Sequence, residues 1–127
     1  MHPKIDLKQL PPLKALKGFE AATRHQSIRD AADELCLTHP AVSHQVQLVE
    51  DALGVTLFVQ EGRHIVSTEE GKVLYPYVRA AFESLLFVLR IHRARLPNGR
   101  IEDQGLEWIC QNLLQAKAFC EQFRSFQ

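Results

Sequence analysis

Six residues that could meet a polar polymer lie close together: Thr38, His39, Pro40, Ser43, His44 and Gln47. Hydroxyl and amide groups can bond the edges of DNA bases, and an imidazole can donate to a guanine acceptor or a phosphate. At helical spacing all six share the exposed face and N-terminal end of one helix. The free N–H groups of such an end favour a phosphate. Arg63 and His64 follow at what reads as a hairpin tip, within reach of a DNA backbone or minor groove. Arg24 and Arg29 flank the start of the preceding helix as candidate phosphate clamps.

The same residues fit other chemistry poorly. His39 and His44 stand five apart, whereas a helical ligand pair on one face is i,i+4, so no metal is expected. Ser43 and His44 are adjacent and face apart, which argues against a nucleophile–base pair. Cys110 and Cys120 are ten apart and lack a zinc spacing. There is no glycine-rich phosphate loop and no paired-carboxylate motif, so neither an enzyme nor a cofactor is expected. The 127 residues carry 15 Lys+Arg and 15 Asp+Glu, which excludes a polybasic coat but not a local patch. No apolar run approaches the roughly 20 residues needed to span a bilayer, and the first residues lack an apolar signal core. Membrane association is therefore not expected. Three cysteines make no disulfide framework, so a reducing cytoplasm is the simplest location.

The elements that must position these residues are mainly helical. Leu13, Leu16, Phe19 and Ala22 predict an amphipathic helix over about 12–25, with Pro12 near its first turn. Ser27 reads as the N-cap of a short second helix carrying Ile28, Ala31, Ala32 and Leu35. Cys36-Leu37 is a tight connection, and Cys36 is expected to be buried there. Thr38 caps the next helix with Pro40 just inside it. Val42, Val46, Val49 and Leu53 form its apolar stripe, and Gly54 ends it. Residues 28–47 are thus a helix-turn-helix, whose second helix enters a DNA major groove.

Val55 to Val59 and Ile65 to Ser67 are β-prone and flank the polar run Gln60 to His64, which predicts a hairpin. Ser67 or Thr68 caps a long helix over about 69–92. Leu74, Val78, Ala81, Leu85 and Val88 make one seam of it; Tyr75, Phe82, Leu86 and Leu89 make a second. Two apolar faces ask for a partner as well as a core, which points to dimerisation through Val78, Ala81, Phe82, Leu85 and Leu89. Pro76 should kink this helix or mark a late start. From about 103 a further apolar stripe at helical spacing predicts a C-terminal helix.

This order of elements resembles the N-terminal DNA-binding region of LysR-type transcriptional regulators, in the branch of glycine-cleavage and β-lactamase regulators. The residues that carry the resemblance are Leu13 to Ala22, Ser27-Ile28, Ala31 to Leu35, Thr38 to Val46, Leu48, Glu50, Leu53-Gly54-Val55, Leu57-Phe58 and Thr68 to Gly71. It covers about residues 11–92. It implies a winged helix-turn-helix domain over 11–67, a linker and dimerisation helix over 68–92, and a two-fold-related site on double-stranded DNA. It also implies that His39 and the Ser43-His44 pair face the bases and that Arg63 lies in the wing.

The family pattern continues into a large effector-binding domain. Only 35 residues follow residue 92 here, and they do not resemble its start, so small-molecule induction is not expected and 93–127 reads as a helical extension. Gln60-Glu61 stands where the family commonly has a basic wing residue, which weakens phosphate binding. Arg29 replaces a small hydroxyl residue, adding a phosphate contact or disturbing the packing. Residues 1–92 hold 10 Lys+Arg, 11 Asp+Glu and all six histidines. Binding should therefore strengthen between about pH 7.5 and 6 as His39, His44 and His64 gain charge. The sequence supports a homodimeric regulator. It also leaves open a chain that heterodimerises with full-length relatives and titrates them.

Overall fold

The computed structural model describes residues 3–4 and 6–94. Two compact units divide the chain, residues 1–79 and 80–127. The first opens with a 3-10 turn at Leu7–Gln9, followed by α1 (Leu13–His25), α2 (Ile28–Leu35), α3 (His39–Leu53), β1 (Phe58–Glu61) and β2 (His64–Ser67). The long helix α4 runs from Glu69 to Ala94 and so passes from one unit into the next. The C-terminal helix expected from about 103 lies outside the described residues, as does the proposed extension beyond 94.

Local chemistry sets the helix boundaries. The Ser27 hydroxyl accepts from the Asp30 N–H at 3.1 Å, and the Thr38 hydroxyl accepts from the Ala41 N–H at 3.3 Å. Each satisfies a donor that the first helical turn leaves open. Pro40 occupies the first turn of α3, and the Gly54 N–H closes that helix on the Glu50 carbonyl at 2.7 Å.

Pairwise packing of α1, α2 and α3 makes the core. Phe19, Leu57, Val42 and Val49 are its largest fully buried side chains. Ala21, Ala22, Ala31 and Ala32 are buried with Val42, Val46 and Ile65, and Ile28, Leu35 and Phe58 pack against them. The alanines of α1 and α2 let these two helices approach closely. The Phe19 ring meets Phe58 at 5.8 Å and the edge of Tyr75 at 6.4 Å, tying the core to the wing and to the start of α4.

Cys36 departs from expectation. It is exposed, and its φ of 55° is left-handed. That conformation lets its N–H cap α2 on the Ala32 and Asp33 carbonyls, and it turns the side chain out of the angle between the helices. A left-handed L-residue is strained by roughly 1–2 kcal/mol, partly offset when glycine loosens the unfolded chain. Cys36→Gly should therefore stabilise the fold by about 0.5–1 kcal/mol, read as a higher urea midpoint at unchanged slope.

The hairpin is shorter and later than the β-prone run. Leu57 is fully buried, and its N–H donates to the Glu50 carboxylate at 2.7 Å. The Thr56 carbonyl accepts from the Thr68 hydroxyl at 2.6 Å. These bonds commit residues before Phe58 to helix ends rather than to a ladder. Pairing then runs antiparallel from Phe58↔Ser67 to Glu61↔His64. The loop is only Gly62-Arg63, so Gln60, Glu61 and His64 belong to strands and Arg63 alone with Gly62 makes the tip. Gly62 has φ 61° at the first loop position, as a two-residue hairpin turn of type II′ requires.

Thr68, rather than Ser67, caps α4: its hydroxyl accepts from the Gly71 N–H at 3.2 Å. A side chain at Gly71 would place Cβ 2.6 Å from the Leu57 carbonyl oxygen, so only glycine lets α4 start against that segment. The helix is already established at Glu69 and continues through Pro76, so a late start is not observed. Pro76 is exposed, where water can serve the carbonyl its missing N–H leaves free.

Candidate nucleic-acid interface

At 3.6 residues per turn, Val42, Val46 and Val49 fall on one side of α3 and are buried. Pro40, Ser43, His44 and Gln47 fall on the other side, His39 stands at the first position of the helix, and all are exposed, as is Thr38 at the N-terminal end. The expected face is thus brought together on one rigid helix. It carries no Lys or Arg: α3 reads HPAVSHQVQLVEDAL, so its own positive charge can come only from His39 and His44.

The N-terminal end of α3 offers less to an anion than its position suggests. The Ala41 N–H is taken by Thr38 and Pro40 has none, which leaves the His39 N–H from the first turn. The Thr38 oxygen is already an acceptor in this cap, but its own O–H can still donate. Gln47 is also engaged, with Nε2 donating to the Asp51 Oδ1 at 2.8 Å. Asp51 was not among the expected site residues. The i,i+4 spacing that signals it is common on solvated helix faces.

Arg29 is exposed in the first turn of α2, and the Ser27 cap and the buried alanines beside it are intact. It therefore does not disturb the packing. Arg24 does not act as a free phosphate clamp. Its guanidinium lies between Glu20, at 2.9 Å, and Glu34, at 2.7 Å. The pairing with Glu34, then Glu20, holds the guanidinium more firmly protonated than an ordinary arginine. The same bond from Arg24, aided by His25, lowers the Glu34 carboxyl to about 2. Glu20 also accepts from the Tyr75 hydroxyl at 3.3 Å and from Arg79 at 3.5 Å. This cluster therefore ties α1 to α2 and to the start of α4.

In the wing, Arg63 is exposed at the tip and His64 is exposed at the first position of β2. The Gln60 amide donates to the Gly62 carbonyl at 3.2 Å and braces the turn. The Ile65 N–H donates to the Gln26 carbonyl at 3.3 Å, joining the hairpin to the turn between α1 and α2. Glu61 stands across from His64, so the wing carries charges of both signs.

The model of the bacterial regulatory helix-turn-helix proteins of the lysR family matches residues 13–72. The crystal structure of the BenM DNA-binding domain in complex with catB site 1 DNA superposes with a TM-score of 0.60 at 31% sequence identity, covering 64% of this chain and 91% of that one. The chain belongs to the LysR family. It carries the winged helix-turn-helix DNA-binding domain of a transcriptional regulator. The glycine cleavage system transcriptional activator of Escherichia coli (strain K12) is 43% identical over 94 residues, which are 74% of this chain and 31% of that protein. The HTH-type transcriptional regulator TrpI of Pseudomonas aeruginosa is 51% identical over 93 residues, 71% of this chain and 32% of that protein. The chain spans about a third of the length of these curated relatives. Both relatives are named as regulators and neither as an enzyme.

On the LysR linker helix the expected seam divides. Val78 is buried within the chain, Phe82 is half-buried, and Ala81, Leu85 and Leu89 are exposed. Phe87, outside both expected seams, is buried. Among the described residues no group of three or more His, Cys, Asp or Glu gathers as a metal site, and no helix is long and apolar enough to cross a membrane.

Proposed function

We propose that this chain is a cytoplasmic, sequence-specific transcriptional regulator that binds a two-fold-related DNA site as a dimer. The observation that carries the reading is the set of exposed polar side chains gathered on α3, whose valine stripe is buried. In this reading His39, Ser43, His44 and Gln47 meet base edges, and Pro40 offers apolar contact to a thymine methyl. Thr38 and Arg29 hold phosphates, while Arg63 and His64 touch the flanking backbone or minor groove. Ala81, Phe82, Leu85 and Leu89 supply the dimer seam, with Val78 supporting it from inside the chain. A C2 dimer presents two recognition helices to successive major grooves, which demands a roughly symmetric site.

The test is a pull-down of sheared genomic DNA at moderate salt, followed by sequencing. Retained fragments sharing a two-fold-related motif support the reading. Uniform retention that vanishes with added salt leaves only non-specific phosphate binding and overturns it. On the recovered site, Arg63→Ala should weaken binding about equally for all sequence variants and reduce the salt slope by about 1. His44→Ala should instead relax preference at one position per half-site, at a cost of about 1–3 kcal/mol. Titrating affinity against salt and against single-base variants separates the two roles.

A further inference from the structure

Residues 39, 43, 47 and 51 of α3 advance by about 40° per step and form a row along the exposed face. Gln47 sits within that row, with Asp51 one turn beyond it. The 2.8 Å bond between Gln47 Nε2 and Asp51 Oδ1 settles which way the amide points. A carboxylate only accepts, so a flipped amide would set oxygen against oxygen. Nothing else on the helix competes for the pair. α3 has no Lys or Arg, and the neighbouring Glu50 is turned inward onto the Leu57 N–H at 2.7 Å. What Gln47 has left is the Oε1 acceptor and its second N–H donor, both on the one amide. An acceptor beside a donor is the complement of the adenine N6–H donor and N7 acceptor in the major groove.

We infer that Gln47 reads an adenine and that Asp51 is a positioning residue that fixes the amide for it. This rests on the sequence-reading function proposed above and names the base it selects at one position. Asp51 has a second effect of opposite sign, because a carboxylate near the phosphates repels DNA of any sequence. The two effects can be told apart: repulsion changes affinity for all sequences alike, whereas positioning changes the ratio between them.

The experiment equilibrates the whole chain with a randomised double-stranded DNA pool and sequences the bound fraction. It is run for the unmodified protein, Gln47→Ala, Asp51→Ala and Asp51→Asn. Both positions of change are on the exposed face, and circular dichroism confirms that each variant is helical. The unmodified protein should prefer A·T about ten- to a hundredfold at one position per half-site. Gln47→Ala should erase that preference and leave the other positions alone. Asp51→Ala should lower it several-fold while raising affinity across the pool. Asp51→Asn, which removes the charge and keeps an acceptor but can also donate to a flipped amide, should raise affinity across the pool and lower the preference less than Asp51→Ala does.

The inference is overturned if Gln47→Ala leaves every positional preference unchanged, if the position it controls prefers another base pair, or if Asp51→Ala shifts affinity equally for all sequences. In each case an unmodified protein that still selects a motif leaves the regulator reading standing. If the unmodified protein selects no motif at all, the regulator reading fails and the adenine assignment fails with it.

Discussion

Leu85→Asp should leave the chain folded yet lower its affinity for a two-half-site operator by at least about a hundredfold, because it removes the second recognition helix from the complex. Leu85 is 55% exposed in the single chain, and a polar substitution at such a site changes monomer stability by only about 0.5 kcal/mol. The cost falls on the dimer. Ala81, Leu85, Val88 and Leu89 recur at i, i+4, i+7 and i+8, which sets them on one arc of α4, and all four are exposed. A carboxylate in the middle of that seam is desolvated without a partner when two copies associate. Once dimerisation is lost, each half-site is bound independently, and the avidity gain of about 10²–10⁴ disappears. Sedimentation should show a monomer, and affinity for an isolated half-site should be unchanged. A soluble Leu85→Asp dimer with full operator affinity would place the seam elsewhere. The combination of His44→Ala and Arg63→Ala separates the regulator from a titrating heterodimer. It should abolish operator binding by the former and leave pairing with full-length relatives intact in the latter.

The helix-turn-helix is legible in the sequence because its punctuation is local. Ser27, Thr38, Pro40 and Gly54 act on groups within about four residues of themselves, so residue type and spacing are enough to place the ends of α2 and α3. Where a boundary depends on a distant partner, the sequence misleads. Val55 to Leu57 is as β-prone as any segment of the chain. Yet Leu57 is drawn to the Glu50 carboxylate and Thr56 to Thr68, and the strand starts only at Phe58. Pro76 would end many helices, but here it sits on an exposed side after a first turn fixed by Thr68 and by the approach of Gly71 to Leu57.

The candidate site divides along the same line. Its face follows from the 3.6-residue period, since fixing Val42, Val46 and Val49 inside leaves Ser43, His44 and Gln47 outside, while His39 is exposed as the first residue of the helix. The state of its charges does not follow. The Glu20–Arg24 spacing of four is visible, but the larger effect on Arg24 comes from Glu34, ten residues away and brought near only by the packing of α2 on α1. Cys36 shows the same limit in backbone form. Its place in the turn is readable, whereas its outward side chain depends on a left-handed φ adopted to cap α2.

Lowering the pH from 7.5 to 6 should raise affinity for operator DNA on the order of tenfold and steepen its dependence on salt. The reason is the poverty of fixed charge on this face. α3 holds no Lys or Arg, and the expected phosphate contacts with permanent charge reduce to Arg29 and Arg63, because Arg24 is committed to Glu20 and Glu34. Asp51 on α3, Asp30 and Asp33 on α2 and Glu61 in the wing oppose them. Against so small a balance, any positive charge gained at His39, His44 or His64 weighs heavily. A histidine side chain changes charge between about pH 5 and 8, and protonation adds positive charge, so affinity rises as pH falls through that range. Each histidine that gains a phosphate contact releases a counterion and should add up to about 0.9 to the salt slope. Replacing all three with glutamine keeps polar side chains on the face and removes the titration. Affinity measured at both pH values and at several salt concentrations should then be nearly flat with pH. A wild-type affinity indifferent to pH, or a rise that survives the triple replacement, would mean that these histidines do not meet the phosphates or acceptor edges of the DNA.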